Sequence, residues 1–355
     1  MKTCHAIGLM SGSSLDGLDL AFVRFTYDES HYAYRIEAAE TLPYPPYWHD
    51  QLANAFLSTP EKLVPLDKEY GAYLGTQVNT FINKHHLHPD FVASHGHTVF
   101  HRPELRYTLQ IGDGQALADA CGCTVVNDFR SEDVCKGGQG APLVPIGDRL
   151  LFGGYDICLN IGGIANLSYE SDGRRIAYDI CIANQALNWL AQREGVAYDK
   201  DGLLARQGHV DPQLLEALNS HRFYLQAPPK SLGREFFETF QKGLLESRPT
   251  CDALATFVEH VALQIGQAIE HLPHGKMLVT GGGALNGYLV ERIQCHTQHL
   301  VVVPDRMTVD YKEALIFALL GLLRIEERTN VLCSVTGAPT DSCSGKIWHP
   351  QSVSQ

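Results

Sequence analysis

One pattern in the chain constrains its fold more than any other. A strand, a glycine-rich turn and a second strand occur twice, about one domain apart. The first copy runs from Ala6-Ile7-Gly8-Leu9-Met10 through Ser11-Gly12-Ser13-Ser14 to Leu18–Phe25. The second starts at Tyr155–Leu159, turns through Asn160-Ile161-Gly162-Gly163-Ile164-Ala165-Asn166 and resumes at Leu167. Apolar and β-branched residues suit the strands, and Gly, Ser and Asn suit the turns. Each copy leads into further strand and then into helices. Self-similarity at this spacing points to two related α/β halves, and 355 residues are enough for two domains. Two such halves are expected to flank a central cleft, a common place for a ligand. The stretch Lys136-Gly137-Gly138-Gln139-Gly140-Ala141-Pro142 is the best boundary region. The expected domains are therefore 1–150 and 151–355, the C-terminal tail being able to pack back on the first.

Between the two copies the periodicity predicts a strand over 34–42 and a helix over 65–86. That helix would have Pro65 at its first position, with Leu66, Tyr70, Leu74, Val78 and Phe81 on one face. A short strand over 90–100 should end in a polar loop, Ser94-His95-Gly96-His97-Thr98. A helix over 115–121 and a strand at Thr124-Val125-Val126 follow. Further on, helices are expected over 184–194, 251–271, 287–295 and 309–326, with strands at Met277–Thr280 and Leu300–Val303.

Composition narrows the function. Hydrophobic residues make up 45% and charged residues 19%, enough to bury a full core. The net charge of −12 (28 basic, 40 acidic) argues against a general nucleic-acid or anionic-membrane surface. It leaves a local phosphate pocket open. No apolar run nears the ~20 residues that span a bilayer, and MKTCHAIGLMSGSSLDG does not read as a secretory leader. The expected setting is cytoplasmic, with the ten cysteines reduced.

Several residue groups suit phosphate and sugar chemistry. In Gly12-Ser13-Ser14-Leu15-Asp16-Gly17-Leu18-Asp19, glycine allows close backbone approach and hydroxyls can donate to phosphate oxygens. A carboxylate nearby, Asp16 or Asp19, can hold Mg²⁺ directly or through water. An ordinary hairpin turn would read the same way. The contiguous Gly281-Gly282-Gly283 at the end of a strand would let a ring or phosphate lie against the backbone, or would serve tight helix–strand packing. Asp179, at the end of the strand Arg175–Asp179 and amid apolar neighbours, suits a general base of raised pKa or a helix-capping residue. Gly112-Asp113-Gly114 offers a second carboxylate in a turn. His95, His97 and His101 suit hydrogen bonding at a polar edge, and Arg130 and Lys136 suit neutralising a phosphate or a surface role. No P-loop and no protein-kinase motif set is present.

Taken in order, these segments resemble the anhydro-N-acetylmuramic acid kinases. The resemblance rests on Ile7–Asp19, Ser94-His-Gly-His-Thr98 with His101-Arg-Pro103, Gln110–Gly114, Gly137–Pro145, Asn160–Asn166, Thr280–Asn286, Glu313-Ala314 with Phe317-Ala318, and Thr336–Ala338. It covers nearly the whole chain. It implies two duplicated actin/hexokinase-like (ribonuclease H-like) domains with ATP in the cleft. Water would attack the anomeric carbon of 1,6-anhydro-N-acetylmuramic acid, and the freed O6 would take the γ-phosphoryl group. The product would be N-acetylmuramic acid 6-phosphate, in peptidoglycan recycling. The resemblance makes Asp179 the base and places Gly12 to Asp19 at the ATP phosphates. It sets Gly162, Gly163 and Gly281 to Gly283 at the nucleotide, and His97, Arg130, Asn184 and Glu313 at the sugar. It also implies Mg²⁺ carried by ATP and a homodimer.

Three departures from the family pattern stand out. Ile180-Cys181-Ile182-Ala183 is expected to form the turn after Asp179, where the family commonly has Thr-Gly-Pro-Gly, Asn184 being kept. Ser13 stands for Thr, and His97 for Gln. Two other readings share the fold. One is a kinase for another sugar or hydroxy-acid, with Asp179 deprotonating its hydroxyl. The other is a nucleotide- or sugar-binding homologue without turnover.

Overall fold

The computed structural model describes residues 1–351 except Ser13, Ser14 and Asp16. Two compact units emerge. One joins Met1–Leu151 to Tyr311–Gln355, and the other is Phe152–Asp310. The chain's last segment thus belongs with the first unit. The Gly-rich stretch 137–142 also lies inside that unit, tied by Asp133, whose carboxylate accepts the Gly140 N–H at 2.7 Å and the Thr336 hydroxyl at 2.8 Å.

In the first unit, β1 (Lys2–Ser11), β2 (Leu18–Tyr27) and β3 (Tyr32–Leu42) form an antiparallel meander. The chain then crosses through helix α1 (Pro60–His85) to β4 (Phe91–Arg102), which pairs parallel with β1. Strand β5 (Tyr107–Ile111) folds back on β4. Helix α2 (Gly114–Cys121) leads to β6 (Val125–Asn127), parallel to β4. The sheet order is β12-β6-β4-β1-β2-β3, where β12 is Lys346–Trp348.

The second unit repeats the plan. Here β7 (Ile157–Ile161), β8 (Ile164–Ser171) and β9 (Arg174–Ile182) form an antiparallel meander. Helices α3 (Asn184–Gln192) and α4 (Thr250–Ile269) follow it. Then β10 (Lys276–Thr280) pairs parallel with β7, and β11 (Leu300–Val302), reached through α5 (Gly287–Cys295), pairs parallel with β10. The order β11-β10-β7-β8-β9 matches β6-β4-β1-β2-β3 strand for strand. The expected duplication of an α/β unit is therefore present in the topology itself.

Burial explains the order. The central strands β1 and β7 are near-continuous apolar runs, as strands covered on both faces must be. The meander's outer strand β3 alternates exposed and half-buried positions, as an edge requires. Leu63, Leu66, Tyr70, Leu74, Val78 and Phe81 of α1 are buried against this core. That helix starts earlier than the sequence suggests. Pro60 takes its first position and Pro65 falls inside, where its missing N–H costs one intrahelical bond.

Two further expectations are corrected. Ser94 to Thr98 is not a loop but the middle of β4, which runs on to Arg102 because it pairs with β1 on one side and β5 on the other. Likewise Ile180 to Ile182 is not a turn. It continues β9, and all three side chains are buried, as two β-branched residues in a strand favour. A helix, α6 (Arg306–Ile325), is broken at Tyr311 (φ −117°, ψ 15°), the residue at which the chain re-enters the first unit.

Candidate active site

In the second unit the register Thr280↔Asn160 sets the ends of β7 and β10 side by side, so both glycine turns leave the sheet at the same edge. Asn184, at the start of α3, ties down the first of them. Its side-chain amide donates to the Ile161 carbonyl at 3.1 Å, and its backbone N–H donates to the Gly162 carbonyl at 3.0 Å. The Gly163 carbonyl accepts from Ala183 and Gln185 at 2.8 and 3.2 Å. These carbonyls meet donors that a helix start otherwise leaves unsatisfied.

The glycines divide by what demands them. Gly281 is left-handed (φ +81°), and a Cβ there would lie 2.6 Å from the Asn160 side-chain oxygen. A Cβ on Gly283 would lie 2.2 Å from Ile161 Cγ2. Both are explained by packing. Gly162, Gly163 and Gly282 are different: an added Cβ would meet nothing nearer than 3.6, 3.9 and 3.5 Å respectively. The protein itself does not require glycine at these three positions. A ligand lying on the backbone would.

Their substitution separates the two classes. Gly282→Ala is expected to keep its stability within about 0.5 kcal/mol of the parent, since its Cβ meets nothing nearer than 3.5 Å. Gly283→Ala is expected to lose about 1–3 kcal/mol of stability by overpacking Ile161. Thermal melts check both.

Asp179 lies within β9, opposite Asn166, at a β-bulge that skips from Asn166↔Asp179 to Ala165↔Cys181. Bulges re-aim side chains. It caps no helix, since α3 is preceded by Ala183. The side chain is half-buried. Desolvation raises its pKa, and a hydrogen bond from the Leu232 N–H to Oδ2 at 2.8 Å partly offsets this. That is the environment of a carboxylate kept ready to accept a proton.

The first unit holds a separate polar group. Asp19 pairs in register with Thr41, whose hydroxyl donates to its Oδ1 at 2.6 Å. Glu313, on α6, keeps a solvent-accessible side chain, yet the surrounding protein displaces enough water to push its carboxyl above the ordinary range. The charge of Asp19 adds to that shift, and Arg130 and Lys312 oppose it. Lys312 is itself buried against Asp148 at 2.7 Å. Desolvation lowers Arg130 to about 10, so it remains charged at neutral pH. Arg130 donates to His95 Nε2 at 3.1 and 2.9 Å and to the Gly140 carbonyl at 2.6 Å. His95 must then carry its proton on Nδ1, which donates to the Gly96 carbonyl at 3.0 Å.

His97 is buried, and desolvation lowers it to about 4, so it is neutral. Its Nδ1 meets the Ser11 hydroxyl at 3.0 Å, and Ser11 accepts from Tyr44, which meets Tyr70. Since the Tyr44 hydroxyl hydrogen goes to Ser11, Tyr70 is the donor to Tyr44. Leu15 is left-handed (φ 59°), and its N–H reaches the Gly12 carbonyl at 3.3 Å. Gly17 packs under the Leu42 carbonyl, and Leu18 is buried. Ser13, Ser14 and Asp16 lie outside the described residues.

The structure thus gathers Asn184 with the glycines at 162–163 and 281–283. Separately it gathers Asp19, Arg130 and Glu313. Asp113 turns out to cap α2, accepting the Ala116 N–H at 2.7 Å. Lys136 forms an exposed pair with Glu132. Sequence reasoning missed Ser11, Tyr44 and Leu232. A backbone donor such as Leu232 leaves no mark in side-chain type.

The fold and these sites define a class: a duplicated α/β protein with glycine turns at matching strand ends and a desolvated carboxylate on a meander strand. The family model described as anhydro-N-acetylmuramic acid kinase matches residues 4–350. The chain belongs to the anhydro-N-acetylmuramic acid kinase family. The protein of that name from Mannheimia succiniciproducens is 36% identical over 98% of this chain and 100% of its own length. The one from Vibrio cholerae is 35% identical over 97% and 98%. Among solved structures, the activator of 2-hydroxyisocaproyl-CoA dehydratase from Clostridium difficile aligns with a TM-score of 0.48 at 13% identity, over 91% of this chain and 96% of that one.

Proposed function

We propose that the chain is an ATP-dependent kinase that opens 1,6-anhydro-N-acetylmuramic acid with water and phosphorylates O6. The observation that carries this reading is Asp179, a desolvated carboxylate with one oxygen bound to a backbone N–H and the other left to take a proton. Asp179 removes a proton from water as the water oxygen bonds to C1. The C1–O6 bond breaks, and its electrons stay on O6. O6 then bonds to the γ-phosphorus as the bond to the β-phosphate oxygen breaks, giving ADP and the 6-phosphate. The carbon step resembles inverting glycoside hydrolysis. A separate acid on O6 is unnecessary, because phosphorus captures that oxygen.

The open glycines 162, 163 and 282 support nucleotide contact, and the turn from Gly12 to Asp19 is assigned to the phosphates by family resemblance. Arg130, Glu313, His97 and Asn184 are assigned to the sugar on the same ground. A magnesium ion held mainly by phosphates and water needs only one or two carboxylates, which Asp19 fits, and it would offset phosphate charge. No described helix is long and apolar enough to cross a membrane. Family resemblance supports a cytoplasmic homodimer serving cell-wall recycling, and light scattering would test the dimer.

The test uses the purified protein with Mg-ATP and the anhydro sugar in ¹⁸O-water, followed by mass spectrometry. A phosphosugar with ¹⁸O at C1 is expected. ATP binding without any phosphosugar would overturn the substrate. The rate should fall as pH drops through the pKa of Asp179, and the midpoint should stand above 3.8, the unperturbed value. A pH profile with no acid limb above that value would contradict the desolvated base.

A further inference from the structure

Strand β9 is the edge of its sheet, with β8 as its strand partner. Along its other side runs the coil Gln226–Gly233, which belongs to no helix or strand. This coil grips Asp179 twice. The Asp179 N–H donates to the Lys230 carbonyl at 3.1 Å, and the Leu232 N–H donates to Asp179 Oδ2 at 2.8 Å. A coil has no hydrogen-bonded ladder to fix its place, so side chains must fix it.

Leu232 packs against the apolar core, and Lys230 adds a second, polar hold. Its ammonium lies 4.7 Å from the Phe223 ring centre and 5.8 Å from that of Tyr178, and it donates to the Phe223 carbonyl at 3.3 Å. Cation–π contacts of this kind strengthen as water is removed. Tyr178 immediately precedes Asp179 and is itself tied to α4 by its hydroxyl, which donates to the Ala268 carbonyl at 3.1 Å. A cavity of about 170 Å³ beside Lys230, lined by Tyr178, Ile180, Gln226 and Gln264, lies on the face of β9 that carries Tyr178 and Ile180.

We propose that Lys230 is a positioning residue: by clamping the coil on Tyr178 and Phe223 it aims the Leu232 N–H at Asp179 Oδ2 and leaves Oδ1 for the attacking water. The inference rests on the reading of Asp179 as the base. The other groups around Asp179 add little charge. Cys181 on the same strand is a thiol pushed up by burial. Asn184 and Gln185 at the start of α3 are neutral. His260 of α4, behind Tyr224, is neutral because burial lowers it to about 3.

The test compares full-length Lys230→Met, Lys230→Gln and Lys230→Arg with Asp179→Asn and the parent, using Mg-ATP and the anhydro sugar. Lys230→Met should lower kcat about tenfold to a hundredfold, as misplacement by an ångström does, with the KM for ATP little changed. Its acid limb should move to higher pH, because losing the N–H bond disfavours the charged carboxylate. Lys230→Arg should restore most of kcat, since a guanidinium can stack on both rings and donate to the Phe223 carbonyl. Lys230→Gln, shorter and uncharged but still polar, gives the same reading if the Met variant melts too low to assay. A wild-type kcat and acid limb in the Met and Gln variants would overturn the proposal. So would a loss that merely tracks the unfolded fraction. An active Asp179→Asn would instead overturn the base reading, a separate result.

Discussion

Asp179→Asn is expected to lower kcat by about 10²- to 10⁴-fold, the span that general-base catalysis contributes, with little change in ATP affinity. The amide keeps an oxygen to accept the Leu232 N–H, so the local hydrogen bond at Oδ2 survives. What the amide cannot do is accept the proton of the attacking water. The substitution therefore isolates the chemistry from the fold. Losing a desolvated charge should leave the melting temperature equal to the parent's or higher, because burial already disfavours the ionised form. Steady-state ADP release, single-turnover formation of phosphosugar and a thermal melt check the three parts. Activity within about tenfold of the parent would remove Asp179 from the role of base.

Gly8→Ala is expected to cost about 3 kcal/mol, at the upper end of overpacking. Gly8 sits in the central strand β1 beneath helix α6, and a Cβ there would lie 1.8 Å from the Ala314 carbonyl oxygen and 2.8 Å from its carbon. Rotating a side chain cannot relieve a clash with backbone, so the helix must move away. Glu313 is the residue before Ala314, so the same shift displaces a proposed sugar contact. Both the chemical-denaturation midpoint and kcat should fall. A midpoint equal to the parent's would show that α6 has slack over β1. Gly282→Ala, whose Cβ meets nothing nearer than 3.5 Å, is the matched control for stability alone.

How much of the site could be read in advance depended on what kind of signal each part leaves. The glycine turns were legible because glycine-rich turns after a strand recurred at matching places. Their division into packing glycines and open ones was not, since it depends on what lies across the turn. Gly283 faces Ile161, and Gly282 faces Asn184 at ordinary distance. Asp179 was legible as a carboxylate amid apolar neighbours. Its setting was not: the residues after it prolong β9 in place of a turn, because Ile180 and Ile182 are β-branched and buried. The polar composition of Ser94 to Thr98 suggests a loop. Pairing on both sides overrode that composition.

The sequence alone determined that the chain holds two α/β units of one plan, that each begins with a strand, turn and strand, and which glycines and carboxylates deserved attention. It could do so because periodicity and turn chemistry are local, and local preferences act within a few residues. Only the tertiary structure decided that Tyr311–Gln355 belongs with the first unit, that Arg130 is held by His95, and that Asp179 is held by Leu232, fifty-three positions away along the chain. These are contacts between residues far apart in sequence. They exist only once burial has brought the elements together, since desolvation and pairing depend on neighbours that no local pattern names.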